Sequence, residues 1–255
     1  MLSAIETTPS RGVALGIRDL SIGYPNGVTA ARTVCLDLQS GEFLSLVGPS
    51  GCGKSSLLRV VGGLLEPEGG RMNMVPPPAR GEVGVVFQDA TLLPWRTAQR
   101  NVELPLELQG VPKEVRAKAA LDMLAHVGLG DASDRLPRQL SGGMKMRVAL
   151  ARAAVCQPRL MLLDEPFGAL DEMTRQRLQH LVMRMWLEER FTAVFVTHSI
   201  SEAVFLGQRI GVMCGTPGEL RAVIDVPLPF PRTEEMRTEK PFNDVARAVV
   251  EALHK

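Results

Sequence analysis

Gly48-Pro49-Ser50-Gly51-Cys52-Gly53-Lys54-Ser55 has the spacing G-x-x-x-x-G-K-S, which suits a loop wrapped around the phosphates of a nucleoside triphosphate. Glycines let the backbone come close to phosphate oxygens with several N–H groups turned inward. Lys54 supplies a cation for the β- and γ-phosphates, and the Ser55 hydroxyl is a hard oxygen ligand for Mg²⁺. Further along, Asp164-Glu165 sets two carboxylates at the end of the apolar run Leu160-Met161-Leu162-Leu163. Asp164 fits a carboxylate that holds Mg²⁺ through water, and Glu165 fits a general base polarising an attacking water. Gln88 and His198 also end apolar runs. The Gln88 amide suits contact with Mg²⁺ or the attacking water, and His198 suits a hydrogen bond to the γ-phosphate. A surface glutamine and a structural histidine are the plainer alternatives. Ser141-Gly142-Gly143 opens a helical stretch and makes a second anion site. Two half-sites for one phosphate suggest that two copies of the chain face each other.

These residues need elements to hold them. Phe43–Val47 reads as a buried strand running into the phosphate loop, and Ser56-Leu57-Leu58-Arg59-Val60-Val61 as the first turns of a helix. Gly84–Phe87, Leu160–Leu163 and Ala193–Thr197 are short apolar runs of the same kind. In a parallel sheet their C-terminal ends would meet the phosphate loop at one crevice. Residues 1–12 are polar, Val13–Ser21 reads as an edge strand and Thr33–Leu38 as another strand. Tyr24, the one tyrosine, sits in the turn between them, placed either to stack on a base or to rest on the core. Met72–Arg80 is proline-rich and reads as a loop. Helical spacing appears around Thr97–Gln109 and around Pro112–Val127, and Leu140–Arg147 leads into an alanine-rich helix to Cys156. A short helix at Ser201–Leu206, late strands at Ile210–Met213 and Leu220–Val226, and a helix over Phe242–Leu253 complete the order.

The bulk figures bound the class. The chain has 255 residues with 45% hydrophobic content, enough to bury a core, and a net charge of +1 gives no reason to expect nucleic acid. No apolar stretch reaches the ~20 residues of a spanning helix. The start lacks the basic-then-apolar pattern of a signal peptide. A soluble, cytoplasmic chain is expected, for which any membrane role would come through a partner. Cys35, Cys52, Cys156 and Cys214 are scattered, which suits reduced thiols and neither a zinc site nor a disulfide framework.

The order of motifs resembles the ATP-binding subunit of an ABC transporter over about residues 13–225. The resemblance rests on Leu140-Ser141-Gly142-Gly143 between Gln88 and Asp164-Glu165, followed by Gly168-Ala169-Leu170-Asp171 and His198. It implies an α/β fold with a RecA-like P-loop NTPase core, a parallel sheet, N-terminal antiparallel strands and an inserted helical subdomain. The implied organisation is a single ATPase domain over 1–255, with its nucleotide-binding core at 12–88 and 157–226. The helical subdomain would be 89–156 and a tail 227–255. It further implies that Tyr24 stacks on adenine, that Gly48–Ser55 and Ser56 hold the phosphates, and that Ser55, Gln88 and Asp164 serve Mg²⁺. Lys54, Gln88, Glu165 and His198 would be catalytic. Ser141, Gly142 and Gly143 would bind the γ-phosphate held by a second ATPase subunit, with Asp171 linking the two sites.

Within that family, Phe87-Gln88-Asp89, Leu92-Leu93-Pro94-Trp95, Met144 and Thr197-His198-Ser199 resemble the nitrate/sulfonate/taurine importers. The resemblance implies a homodimer bound to two permease subunits on the cytoplasmic side of the inner membrane, served by an extracytoplasmic solute-binding protein. Leu92, Leu93 and Trp95 would lie near the permease groove or fill the subdomain's small core. Importers of pyrimidine-type vitamin precursors and non-transport ABC ATPases are the alternatives. Met144 and Met146 stand where the family commonly has glutamine, Ser199 where aspartate is frequent, and Gly207-Gln208-Arg209 where Ala-Asp-Arg is common.

Overall fold

Strands buried on both faces read as near-continuous apolar runs, and two strands of this fold, one interrupted by Ser45, follow that rule. In the computed structural model, which describes residues 10–254, β3 (Phe43–Val47) and β7 (Thr192–Thr197) are buried at every position. Of the polar leader at 1–12, residues 1–9 lie outside the described residues. The chain divides into two compact units, one formed by the residues up to Pro77 and from Met183 onward, the other by Pro78–Val182.

In the first unit, β3 has parallel partners on both sides, β7 on one and β8 (Arg209–Cys214) on the other. The antiparallel β9 (Glu219–Asp225) pairs with β8. Helices α1 (Lys54–Val61) and α6 (Ile200–Leu206) pack against these strands. Helix α7 (Lys240–His254) buries Phe242, Val245 and Val249, packing on α6, β8 and β9. A separate three-stranded sheet has the order β2-β1-β4, from β1 (Ala14–Gly23), β2 (Thr29–Leu38) and β4 (Gly69–Val75). Strand β1 is therefore central and not an edge, paired antiparallel to β2 on one side and β4 on the other. The second partner comes from a segment expected to be a loop. Its prolines begin only at Pro76, so they end the strand and do not prevent it.

In the second unit, β5 (Val83–Val86) and β6 (Leu160–Asp164) form a parallel pair. Around α2 (Ala98–Leu108), α3 (Lys113–His126) and α4 (Gly142–Ala154) a small core gathers Val102, Ala120, Leu124, Met146 and Leu150. Thr97 caps α2, its hydroxyl accepting from the Arg100 N–H. Glu103, fully buried on α2, is paired by Arg100 at 3.1 Å and Arg116 at 3.3 Å. Helix α5 (Glu172–Glu189) starts in this unit and ends in the other.

Candidate functional site

The residues that suit phosphate chemistry fall into one group per unit. In the first unit, β3 runs directly into the phosphate loop, and the parallel register sets Val47 opposite Thr197. The loop from Gly48 and the residue His198 thus leave neighbouring strands at the same end. The expectation that these strand ends meet holds for this pair.

The loop is shaped by packing from distant parts of the chain. Gly53 has φ +89° and Gly51 φ +82°, conformations that favour glycine. A Cβ on Gly53 would stand 2.5 Å from the Ala30 carbonyl oxygen, and one on Gly48 would stand 2.1 Å from that of Met213. Beneath the loop lies Gly218, in the connection from β8 to β9, where a Cβ would meet the Cys52 carbonyl oxygen at 1.8 Å. Gly218 is fixed there by its N–H to Ala30 O at 3.0 Å and by the Arg32 N–H to its own carbonyl at 2.9 Å. Local sequence gives no sign of Gly218, because its constraint comes from a partner 166 positions away in number, Cys52 (218 − 52).

Lys54 is 4% exposed, and its ammonium donates to the carbonyls of Gly48 at 2.8 Å and Pro49 at 2.9 Å. It therefore lies along the inside of the loop, where a cation faces incoming phosphate. Cys52 is buried at 2% exposure with its thiol on the Met213 carbonyl, and burial pushes its pKa up against the opposing pull of Lys54. Tyr24 follows β1 and is half-buried. Its hydroxyl and that of Ser56, on the first turn of α1, are 2.9 Å apart.

His198 is exposed, and its neighbours are tied down. The Thr197 hydroxyl donates to the buried Glu202 carboxylate at 2.5 Å and accepts the Ser199 N–H at 3.0 Å. The Ser199 hydroxyl caps α6 by accepting the Glu202 N–H at 3.3 Å.

In the second unit, the pairing of Val86 with Leu163 brings Gln88 and Asp164-Glu165 to one end of the β5–β6 pair. Asp164 closes β6 and is 7% exposed; Glu165, half-buried, follows with φ 45°. A non-glycine residue in that region costs roughly 1–2 kcal/mol, which makes the position a backbone outlier beside two carboxylates.

Ser141-Gly142-Gly143 stands at the N-terminus of α4, where the sequence placed a helix start. Ser141 caps α4, its hydroxyl accepting the Met144 N–H at 3.3 Å, and Ser141 and Gly142 are exposed. The remaining N–H groups of that first turn are free of helical partners and carry the positive end of a 13-residue helix. A Cβ on Gly143 would stand 2.3 Å from Thr174 Cγ2, so Thr174 would have to move to admit a side chain there. Thr174 was not singled out in the sequence. Its N–H donates to Asp171 at 3.0 Å, which holds the Asp171 carboxyl below its ordinary range. Met146 is 4% exposed and fills the core face of α4, while Met144 is half-buried. Trp95 is 73% exposed, so it does not fill the subdomain's core; Leu92 and Leu93 are half-buried.

The serine hydroxyl of Ser55 and the carboxylate of Asp164 are hard oxygen donors of the kind Mg²⁺ takes alongside phosphate and water.

The family profile described as "ABC transporter" matches residues 31–168. The aliphatic sulfonates import ATP-binding protein SsuB of Bacillus licheniformis is 41% identical over 223 residues, covering 86% of this chain and 85% of its own. The nitrate import ATP-binding protein NrtD of Synechocystis is 40% identical over 221 residues, covering 84% and 83%. Among solved structures, the dimeric post-hydrolysis state of the ATP-binding cassette MJ0796 bound to ADP and Pi superposes with a TM-score of 0.74 at 33% identity, covering 84% of this chain and 100% of that one.

Proposed function

The chain belongs to the ABC transporter family, whose ATP-binding members are transport-coupled ATPases, and from that premise we propose that it powers import of a small anionic or zwitterionic solute such as nitrate, a sulfonate or taurine. The observation that carries the reading is that the phosphate loop and His198 leave the neighbouring parallel strands β3 and β7 at the same end. Relatives named as sulfonate and nitrate import proteins, alike over more than four-fifths of the chain, support the solute class.

In this reading Tyr24 stacks on adenine, and the loop N–H groups from Gly48 to Ser56 hold the phosphates with Lys54. Ser55, Asp164 and Gln88 would serve Mg²⁺, which would supply charge neutralisation for the triphosphate. Glu165 takes the proton of the attacking water, and His198 donates to the γ-phosphate. Ser141, Gly142 and Gly143 serve the nucleotide of a second copy, as the dimeric cassette at 33% identity suggests. Asp171 sits beside them through Thr174. The permease subunits contact the exposed Trp95 with Leu92 and Leu93, and an extracytoplasmic binding protein delivers the solute. Attachment to the membrane runs through the permease; among the described residues no helix is long and apolar enough to cross a membrane.

Sedimentation of the Glu165→Gln chain with and without Mg-ATP tests the reading. An ATP-dependent dimer supports the shared site. A monomer under both conditions, persisting when the permease pair is supplied, removes the role given to Ser141–Gly143.

A further inference from the structure

Arg232 is among the most deeply buried side chains of the protein, at 1% exposure, although it lies in the proline-rich tail. Its partners are carbonyl oxygens and a ring. One guanidinium nitrogen donates to Val204 O and to Gly207 O at 2.8 Å; the other donates to Leu228 O at 3.3 Å and Val226 O at 3.5 Å. The Phe230 ring lies 4.0 Å from the guanidinium carbon. Among the described residues no carboxylate is paired with it, and burial pushes its pKa down to about 9. Burying a charge in this way is costly unless its hydrogen bonds compensate.

What these bonds grip is specific. Val204 and Gly207 stand at the C-terminal end of α6, where a helix leaves its last carbonyls without backbone partners and carries partial negative charge. The other end of α6 holds His198 between Thr197 and Ser199, both bonded to Glu202 of the same helix. Helix α6 is only seven residues long, so both ends belong to one short rigid body. A second tail residue, Arg237, adds a grip midway: it donates to Ser201 Oγ at 2.7 Å and lies over the Phe205 ring at 4.0 Å.

We propose that Arg232 is a positioning residue which, by clamping the C-terminal carbonyls of α6, fixes where His198 stands. This rests on the reading of His198 as the group that meets the γ-phosphate. The tail then contributes to turnover without touching nucleotide, and no short-range feature of the sequence reveals it.

The test is a double-mutant cycle on the full chain, reading kcat and KM for ATP turnover. Arg232→Met is expected to lower kcat about tenfold while KM stays within about twofold, because the phosphate loop is untouched. Arg232→Lys, which keeps a donor and a charge, restores most of the loss. In a His198→Ala background, Arg232→Met has no further effect on kcat, because the residue it positions is gone. Equal loss in both backgrounds overturns the proposal. A His198→Ala chain that turns over at the parent rate is a different failure, since it removes the role of the histidine itself. Where Arg232→Met does not fold, Arg232→Gln carries the same cycle: a loss that vanishes in the His198→Ala background supports the clamp, and one that persists overturns it.

Discussion

Gln88 and Glu165 flank the same point in space: a Cβ on Gly168 would stand 3.8 Å from Gln88 Nε2 and 4.0 Å from Glu165 Oε2. An amide and a carboxylate at one opening can hold one water between them. Glu165→Gln keeps the size and the φ 45° backbone but removes the base. Turnover is expected to fall by at least ~100-fold, the usual scale for loss of general-base catalysis, with ATP affinity retained. Phosphate release and equilibrium ATP binding, measured on the same preparation, check both halves. A parent rate of phosphate release would take the base role from Glu165.

Lys54 has two jobs in the loop, since the ammonium that is to meet phosphate also ties Gly48 and Pro49. Charged hydrogen bonds are worth about 1.5–3 kcal/mol, so Lys54→Ala should weaken ATP binding roughly 10- to 100-fold. Titration with a fluorescent ATP analogue reads this directly. Unchanged affinity would remove the phosphate-loop assignment.

Thiol chemistry separates Cys52 from Cys35. Cys35 is exposed, whereas Cys52 is buried and burial pushes its pKa upward. Only the thiolate reacts, so Cys52 should label far more slowly than Cys35 near pH 8. A raised pKa places the thiolate at higher pH, so the Cys52 rate should keep climbing where that of an ordinary thiol has levelled off. Mass spectrometry of alkylated peptides across pH gives both rates.

Gly218→Ala should raise the KM for ATP, because the new methyl group overlaps the Cys52 carbonyl at 1.8 Å and the loop must give way. Gly16→Ala is the control. Its Cβ would meet Asp37 Oδ1 at an ordinary 3.5 Å, and a change within about 0.5 kcal/mol in stability is expected. Parallel melting curves and ATP kinetics on the two variants distinguish a local loop effect from general destabilisation.

The chemistry-bearing strand ends were legible because buried parallel strands announce themselves as apolar runs, and β3, β6 and β7 did so. Strand partnership was not: nothing within Ala14–Gly23 says that it pairs on both sides, since that depends on where Gly69–Val75 goes. Helix α5 does carry a periodic signal in its second half. Leu178, Leu181, Val182, Met185 and Trp186 have the spacing i, i+3, i+4, i+7, i+8, and all are buried. The polar first turns, Glu172 to Arg177, hide that pattern at the point where a reader leaves the preceding motif. The site's supports were the least visible. Thr174 under Gly143, Gly218 under Cys52 and Arg232 behind α6 act across the fold, and each looks ordinary among its own neighbours in sequence.

The phosphate loop is braced from Ala30, Met213 and Gly218 and has little room to rearrange. A cradle already in shape spends little of its binding free energy on ordering itself, and it grips whatever polyphosphate enters. Rigidity of that kind makes the loop a poor judge of how many phosphates the nucleotide carries. On the proposed function, telling a nucleoside triphosphate from a diphosphate would then fall to groups outside the loop.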